Sequence, residues 1–293
     1  MNMLRRRVSR AFRKKSCNVE LECLKEWMEN NPDLQCKIDD HWLLVFLSSC
    51  KYNVERTKAK IEMFYIVRYA MPEIFTHRDP RLPRVQQILN LGLFVPLVNP
   101  TAEANYDTVI VRMTFFDPEK IPIQLIMKVD LMIIDVLLTD AATQFKDIEF
   151  LIDLKDFSNN YHEQLSPNQL KRLLHYFEDS YPVKVRAVHF INPPPFAMPF
   201  LNLFTLFVSE KNRNKIRVYC ENEEFDVTQI FPRDALPVEL NGTNSSLEEM
   251  RAQWKAKVED YRDWFLEGEN QPTPDSVSLP KSDVVVTNPF SME

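Results

Sequence analysis

Hydrophobic and polar positions alternate along the segment Val183–Ile191, a pattern typical of a β-strand rich in branched side chains. Three prolines, Pro193–Pro195, follow it and end the ladder of backbone hydrogen bonds, because proline has no N–H donor. The next thirteen residues, Phe196–Val208, include ten apolar ones. A helix here would be apolar nearly all the way round and would need apolar partners on more than one side.

Two interpretations of this apolar helix remain open. It is too short to span a bilayer, which requires roughly 20 residues, so it is either an ordinary core helix or a cover that moves. Basic residues follow it at once, at Lys211, Arg213, Lys215 and Arg217. Because a basic cluster suits an anionic membrane surface, the second interpretation is a lid over an apolar cavity that also faces membranes.

Helical spacing of apolar residues predicts a three-helix bundle near the N-terminus. One helix covers residues 19–29, Asp39 or Asp40 caps the second, and Asn53 caps the third. Prolines punctuate residues 78–100, which predicts a linker with one short helix or strand.

The centre of the chain alternates between strand and helix signals. Strands are predicted over Thr108–Phe116, Ile148–Leu154 and Val183–Ile191, with a short closing strand between Asn222 and Phe231. Helices are predicted over Pro122–Gln144, from Pro167 with Ser166 as its cap, and over Leu247–Leu266 with Ser246 as its cap. Strands separated by single helices require right-handed crossovers, so the fold class is α/β with a mostly parallel sheet.

Composition narrows the classes of function. The chain has 293 residues, 45% of them hydrophobic, without an apolar run of transmembrane length, which is typical of a soluble globular protein. Its three glycines, Gly92, Gly242 and Gly268, lie far apart. A dinucleotide-binding fold or a P-loop needs closely spaced glycines where the backbone approaches phosphate. Both kinds of nucleotide site are therefore excluded.

Charge and cysteine usage indicate where the protein acts. The first fifteen residues carry seven positive charges and no acid, although the whole chain has a net charge of −6. This basic tail is interpreted as a disordered segment, as a helix that contacts membrane surfaces, or as a mitochondrial presequence. Five cysteines without CxxC spacing fit a reducing cytosol, so we expect a cytoplasmic protein with peripheral membrane association.

Catalytic motifs are missing from the sequence. The five histidines show no HExxH spacing, and no GxSxG motif occurs. His189 alternates onto the apolar face of its strand, where a hydrogen-bonded core histidine is the simpler interpretation. We therefore expect no enzyme activity, cofactor, metal or nucleic-acid partner, and a monomer.

Several motifs resemble the CRAL-TRIO family of lipid-transfer proteins, in the branch of α-tocopherol transfer protein and cellular retinaldehyde-binding protein. They recur in family order from about residue 19 to about residue 266. They are Asp40-His-Trp-Leu-Leu-Val-Phe-Leu, Lys51-Tyr-Asn-Val-Glu-Arg, Ile152-Asp-Leu-Lys-Asp-Phe-Ser, Ser166-Pro, Tyr181-Pro-Val-Lys-Val-Arg-Ala-Val-His-Phe-Ile-Asn-Pro-Pro, Ser209-Glu-Lys and Leu236-Pro-Val-Glu-Leu-Asn-Gly.

The resemblance implies an N-terminal three-helix bundle followed by a domain in which a sheet floors an apolar pocket and a helix covers it. The implied divisions are a basic tail (1–18), the bundle (19–77), a linker (78–104), the lipid-binding domain (105–268) and a disordered tail (269–293). By position, the resemblance implies ligand contacts from Met127, Asp130, Leu131, Ile134, Ile148, Ile152, Leu165, Leu173, Tyr176, Phe177, Val183, Val185, Val188, Ala197, Phe200, Leu201, Leu203, Phe204, Phe207 and Val208.

The resemblance also implies phosphoinositide binding by Lys184, Arg186, Lys211 and Lys215. The family's arginine-rich stretch is absent, because Leu44–Cys50 carries no basic residue here. The implied function is lid-gated binding and transfer of a tocopherol, retinoid or similar lipid between membranes. The alternative is a protein-interaction or membrane-recruitment scaffold without exchangeable cargo.

Overall fold

The computed structural model describes residues 19–31, 39–97, 106–113, 119–140, 147–157, 164–220, 226–269 and 287–290. Within these residues a helical unit precedes an α/β domain, and the last helices of the chain pack back onto that domain. The predicted fold class is confirmed.

The helical unit consists of α1 (19–29), α2 (Asp40–Ser49), α3 (Val54–Ala70) and the short α4 (Pro72–Phe75). Asp39 caps α2 by accepting a hydrogen bond from Trp42 N at 2.8 Å, and Asn53 caps α3 by accepting one from Arg56 N at 2.9 Å. Each cap satisfies a backbone N–H that the first helical turn leaves without a partner. Asn53 was predicted as a cap, and Asp39 was one of the two candidates predicted for α2.

Aromatic side chains fill the centre of the helical unit. Phe46 is fully buried and its ring meets Phe64 edge-on at 5.1 Å. Trp42 lies 5.8 Å from Phe64 and is also buried. Tyr181, from the α/β domain, joins the same cluster through Phe64. The helical unit and the α/β domain therefore share a core.

Five strands form one sheet in the order β1 (Phe94–Pro96), β2 (Tyr106–Arg112), β3 (Asp147–Asp153), β4 (Val185–Ile191) and β5 (Ile216–Tyr219). The β1–β2 pair is antiparallel and the other pairs are parallel. The closing strand was predicted between Asn222 and Phe231. The described part of that segment, residues 226–231, contains a 3-10 turn at Val227–Gln229 and no strand, so for these residues the prediction was wrong. The fifth strand, β5, lies before this segment and was missed because it is only four residues long.

The remaining helices are α5 (Pro83–Leu91), α6 (Ile123–Thr139), α7 (Pro167–Ser180), α8 (Met198–Phe207), α9 (Glu210–Arg213), α10 (Leu247–Asp260) and α11 (Arg262–Glu269). A 3-10 turn, Pro195–Ala197, leads into α8. Ser166 and Ser246 cap α7 and α10 as predicted, each within a capping box. Residues 83–96, predicted as part of a linker, contribute α5 and β1 to the α/β domain.

A β-bulge changes which side chains of β4 share a face. Ile148 pairs with Val185 and Phe150 pairs with Val188, so two steps on β3 match three on β4. Arg186 is the extra residue. Since Ile148 and Phe150 point the same way, Val185 and Val188 also lie on one face of the sheet. Strict alternation, as expected from the sequence, would have placed them on opposite faces.

A buried ion-pair network joins the helical unit to α6. Asp135 is fully buried and accepts hydrogen bonds from Arg68 at 3.2 Å and Arg78 at 2.5 Å. Arg68 also donates to Tyr181 Oη at 3.0 Å, and its guanidinium lies 3.3 Å from the centre of the Phe64 ring. Breaking a buried pair of this kind is strongly destabilising, so the network fixes α6 against the helical unit.

Residues 287–290 return from the C-terminal part of the chain to the groove between α4 and α7. Tyr176 Oη donates to Thr287 O at 3.1 Å, and Asn288 Nδ2 donates to Glu73 Oε2 at 3.1 Å. Phe290 packs against both hydrophobic clusters. For these four residues the expectation of a disordered tail is corrected. The rest of that tail, like the basic N-terminal tail, lies outside the described residues.

Candidate functional site

One face of the sheet carries almost only apolar side chains. We call it the apolar face, and it comprises Val109, Val111, Ile148, Phe150, Ile152, Val185, Val188, Phe190, Ile216 and Val218. Phe150, Ile152 and Val188 remain partly exposed, although they lie on central strands. Their neighbours on the opposite face, Leu151 and His189, are buried. The rest of the protein therefore leaves part of the apolar face uncovered.

A stripe of three residues along α6 is also only partly covered by the rest of the protein. Met127, Asp130 and Ile134 are spaced by three and four residues, which places them on one side of the helix. All three are partly exposed, whereas Val129 and Met132 between them are buried. Met127 and Ile134 contact both hydrophobic clusters, so the stripe lies between the sheet core and the helical-unit core.

Asp130 is the polar member of this stripe. Its Oδ1 is buried and has no hydrogen-bond partner among the residues that the structure describes. Burial disfavours the charged carboxylate and raises the pKa of Asp130 to about 8. The carboxyl group is therefore mostly protonated at neutral pH and is able to donate as well as accept a hydrogen bond.

Helix α8 covers part of the apolar face. The Phe204 ring meets Phe190 edge-on at 5.4 Å, and the Phe200 ring lies 5.7 Å from Phe157. Leu206 points the other way and is 61% exposed. Helix α8 thus places aromatic rings towards the sheet and keeps an apolar side chain on the protein surface.

The two ends of α8 are held differently. Before it, Asn192 has a positive φ of 53° and three prolines follow. After it, Arg213 donates to the carbonyl groups of Thr205 and Leu206 at 3.1 and 2.9 Å. Glu178 of α7 accepts from Ser209 Oγ at 3.0 Å and from Asn212 Nδ2 at 2.7 Å. Polar contacts that water can replace therefore hold the C-terminal end of α8.

The structure divides the predicted ligand contacts into two sets. The residues of the first set are buried: Leu131, Ile148, Leu173, Tyr176, Ala197, Leu201 and Val208. A second set is partly exposed: Met127, Asp130, Ile134, Ile152, Leu165, Phe177, Val183, Val185, Val188, Phe200, Leu203, Phe204 and Phe207.

Sequence reasoning missed further partly exposed apolar residues on the same face. Phe150 and Val111 lie on central strands, and Ile216 and Val218 lie on β5. Ile216 and Val218 were missed because strand β5 was not predicted. Phe150 lies two residues before Ile152, so strand alternation places both side chains on the same face and could have identified Phe150.

The four residues predicted to bind phosphoinositides fall into two groups with different surroundings. Arg186 pairs with Glu149 at 3.2 Å and lies 4.0 Å from the centre of the Tyr106 ring, and Lys184 faces Asp147 at 3.7 Å. These cations are thus already balanced by carboxylates.

Lys211 and Lys215 have different surroundings. Lys215 Nζ donates to Val185 O at 2.7 Å, and burial followed by the charge of Lys211 lowers its pKa. Lys60 of α3 donates to Glu178 O at 2.7 Å, and its pKa is lowered chiefly by burial and in part by Lys211. The charge of Lys51 also lowers the pKa of Lys215. We call these four residues the lysine cluster.

His189 occupies a closed polar network on the opposite face of the sheet. Its Nε2 lies 2.9 Å from Glu149 Oε1 and its Nδ1 lies 3.2 Å from Tyr219 Oη. Phe231 packs edge-on against the ring at 5.5 Å. This environment is that of a hydrogen-bonded core histidine. In the part of the chain that the structure describes, no helix combines the length and apolarity needed to cross a membrane.

The described residues therefore form an α/β domain whose mostly parallel sheet carries an apolar face beneath a helix, with a helical unit before it. Residues 104–242 match the CRAL/TRIO domain, and residues 13–85 match the "Pinta-like, UBA domain". The chain therefore contains a CRAL/TRIO domain, and the predicted family is confirmed. Domains of this family bind hydrophobic ligands, and lipid binding and transfer is the general activity that this fold supports.

Relatives match most of the chain. The alpha-tocopherol transfer protein-like protein of Homo sapiens is 25% identical over 256 residues, 87% of this chain and 73% of that protein. Clavesin-1 of Xenopus laevis is 22% identical over 225 residues, 76% of this chain and 67% of that protein. The crystal structure of Sfh5 superposes with a TM-score of 0.54 at 14% identity, covering 86% of this chain and 98% of that one. At that identity the likeness shows the fold alone.

Proposed function

We propose that this protein holds one small hydrophobic lipid between the apolar face and helix α8, transfers it between membranes, and catalyses no reaction. The observation that carries the proposal is the exposed surface left on Phe150, Ile152 and Val188 beneath α8. In a domain without a guest, such central strand positions are normally filled by packing. The names of its relatives favour a tocopherol or a lipid of similar size, such as a retinoid.

Burial supplies the affinity. Covering roughly 400 Å² of lipid at about 25 cal/mol per Å² favours binding by about 10 kcal/mol before the costs of association. Release then requires an apolar alternative for both the lipid and the inner side of α8. A bilayer offers both, and Leu206 and the 44% exposed Phe196 already face outwards.

Replacing Phe204 by Asp tests the role of α8. Because Phe204 packs on Phe190, a carboxylate there would have to be buried against the apolar face. We expect F204D to lower the transfer of fluorescent tocopherol between phosphatidylcholine vesicles at least tenfold. The matched control is N202D, which adds the same charge at an exposed position of the same helix.

Lipid extraction and the transfer measurement together distinguish a lipid carrier from a scaffold without cargo. A stoichiometric lipid in organic extracts of the purified protein, together with loss of transfer only in F204D, supports the carrier. Equal transfer by F204D and the wild type would contradict the assignment of α8 as the lid. An extract without lipid, and no uptake from vesicles, would favour a scaffold with a filled interior.

We further propose that the lysine cluster binds a phosphoinositide headgroup. Lys51 and Lys60 come from the helical unit, while Lys211 and Lys215 follow α8. The two lysines of the helical unit take the place of the missing arginine-rich stretch. An anion bound here would compete with Glu178 for the groups that hold the end of α8.

Charge reversal at this cluster has a measurable consequence. We expect K211E/K215E to weaken binding to phosphatidylcholine vesicles that contain phosphatidylinositol bisphosphate at least tenfold, with a smaller loss in high salt. The control K171E reverses one charge at an exposed position of α7 and should leave vesicle binding close to that of the wild type. Unchanged sedimentation of the double variant with these vesicles would refute the headgroup site.

A further inference from the structure

The C-terminal segment, residues 287–290, binds to the helical unit and to the α/β domain at once. On the side of the helical unit, Asn288 Nδ2 donates to Glu73 Oε2 of α4 at 3.1 Å. On the side of the α/β domain, Tyr176 Oη of α7 donates to Thr287 O at 3.1 Å. Two elements that are distant in the sequence therefore fix the position of this segment.

A short turn positions the side chain of Phe290. Its backbone N–H donates to Asn288 Oδ1 at 2.8 Å, a hydrogen bond that closes the turn. Pro289, whose ring restricts the backbone, is buried within this turn. Phe290 packs against both the sheet core and the helical-unit core. The contacts that hold Asn288 therefore also hold the phenyl ring of Phe290.

Phe290 shares its surroundings with four residues that were predicted to contact the ligand. The residues that also pack against both cores are Met127 and Ile134 of α6, Leu165 before α7 and Val183 before β4. Each of them is partly exposed, and so is Phe290. We call the region of these five residues the junction. At the junction, the helical unit and the α/β domain meet around apolar side chains that they do not fully cover.

Fastening the segment does not require a partly exposed ring. The polar contacts of Thr287 and Asn288 already hold the segment, and Pro289 is buried. A ring that only filled a core would be covered on all sides, because protein interiors are close-packed. The uncovered part of Phe290 is therefore surface that a lipid at the junction can contact.

We infer that Phe290 forms an end wall of the lipid site and limits the length of the cargo, so that the C-terminal segment determines specificity. This inference rests on the proposed function, because it concerns the extent of the same site. The site then runs from the apolar face beneath α8 to the junction, where residues 287–290 close it.

A wall of this kind discriminates by length because overlapping atoms repel each other, whereas a shorter lipid only leaves space. A lipid that is too long must displace the Phe290 ring, and the hydrogen bonds of Asn288 and Thr287 resist that displacement. Replacing Phe290 by Ala removes the ring and leaves room for additional carbon atoms. The limit holds whichever end of the lipid meets the wall.

The test measures the length of the lipid that the protein selects. Vesicles contain phosphatidylcholines of mixed acyl-chain length, isoprenoid alcohols of three to five units, and tocopherol analogues whose side chains differ by one isoprenoid unit. The full-length protein is incubated with these vesicles and separated, and all lipid that it holds is identified by mass spectrometry. The result is the molar ratio of longer to shorter members within the lipid class that the wild type holds. We expect this ratio to be at least fivefold higher for F290A than for the wild type.

Three further variants assign the length limit to the ring. F290L keeps a large apolar side chain and should stay within twofold of the wild-type ratio. N288A removes the contact with Glu73 but keeps the ring, so it should raise the ratio two- to fivefold. The control Y261A removes a partly buried ring that packs on the sheet core, and it should leave the ratio unchanged.

The ratio distinguishes a wall from a mere fastening, because a general loss of stability lowers the uptake of every length alike. An unchanged ratio in F290A, or an equally large rise in F290L or Y261A, would overturn the inference while leaving the carrier intact. A wild type that holds no lipid would refute the proposed function itself. If F290A does not fold, N288A decides by the same ratio.

Discussion

Phe46 and Phe150 lie at the centres of two apolar regions that the chain completes differently. In the helical unit, Phe46, Phe64 and Trp42 pack ring against ring and are buried. On the apolar face of the sheet, Phe150, Ile152 and Val188 keep exposed surface. Residues of similar hydrophobicity thus build a filled core in one region and an incomplete one in the other. The difference shows that hydrophobicity alone does not distinguish a core from a binding site, whereas the degree of filling does.

The largest effect should come from truncating one aromatic ring in each region. Phe46→Ala leaves a cavity in a filled core and should cost about 3–5 kcal/mol of unfolding free energy. Phe150→Ala removes a ring that is already partly exposed and should cost only about 1–2 kcal/mol. Urea denaturation measures both. Equal losses would mean that the apolar face is as well filled as the helical unit, which would undo the comparison.

Lipid uptake should respond in the opposite order. F150A changes the surface that the guest contacts, so its uptake of fluorescent tocopherol should fall several-fold at temperatures where it remains folded. F46A, measured under conditions that keep it folded, should retain uptake close to that of the wild type.

A smaller effect should appear in the pH dependence of stability. Burial raises the pKa of Asp130 to about 8, above its ordinary value of 3.8. The folded state therefore binds more protons than the unfolded state between about pH 4 and pH 8, and its stability falls as the pH rises through this window. Above about pH 8 both states are ionised, and the penalty stays constant.

D130N removes this titration. We expect the stability of the wild type relative to D130N to fall by on the order of 1 kcal/mol per pH unit between pH 5 and pH 8. Urea midpoints at pH 5, 6.5 and 8 check this slope. Parallel pH profiles would place the carboxyl group in contact with solvent and remove the distinction between Asp130 and an ordinary surface acid.

Local signals in the sequence were sufficient for much of the fold. Asn53, Ser166 and Ser246 cap helices where their side chains predict caps, because capping depends on residues within one turn. The family resemblance supplied the helical unit before the α/β domain and the helix over the sheet. These features depend on short stretches of sequence.

Other features depend on contacts between distant segments and could not be predicted. The bulge at Arg186 is a feature of the register between β3 and β4, which lie far apart in the sequence. Lys60 approaches Lys211 only after α3 packs on α7. Residues 287–290 contact α4 and α7 through backbone and amide groups, and a hydrophobic pattern does not reveal such contacts. The predicted site residues therefore stay a prediction, and these contacts could be identified only from the structure.

The pair of arginines on Asp135 has a consequence for chimeric proteins. Asp135 and Asp130 lie five positions apart on α6, roughly 140° around the helix. Arg68 and Arg78 therefore bind one side of α6, and Asp130 lies on another side. A hybrid that grafts the CRAL/TRIO domain of this chain onto the first helices of a relative keeps the partners of Asp135 only if arginines occupy the positions of Arg68 and Arg78. Because an unpaired buried carboxylate is strongly destabilising, an exchange of either segment should be designed with the Asp135 contacts carried along.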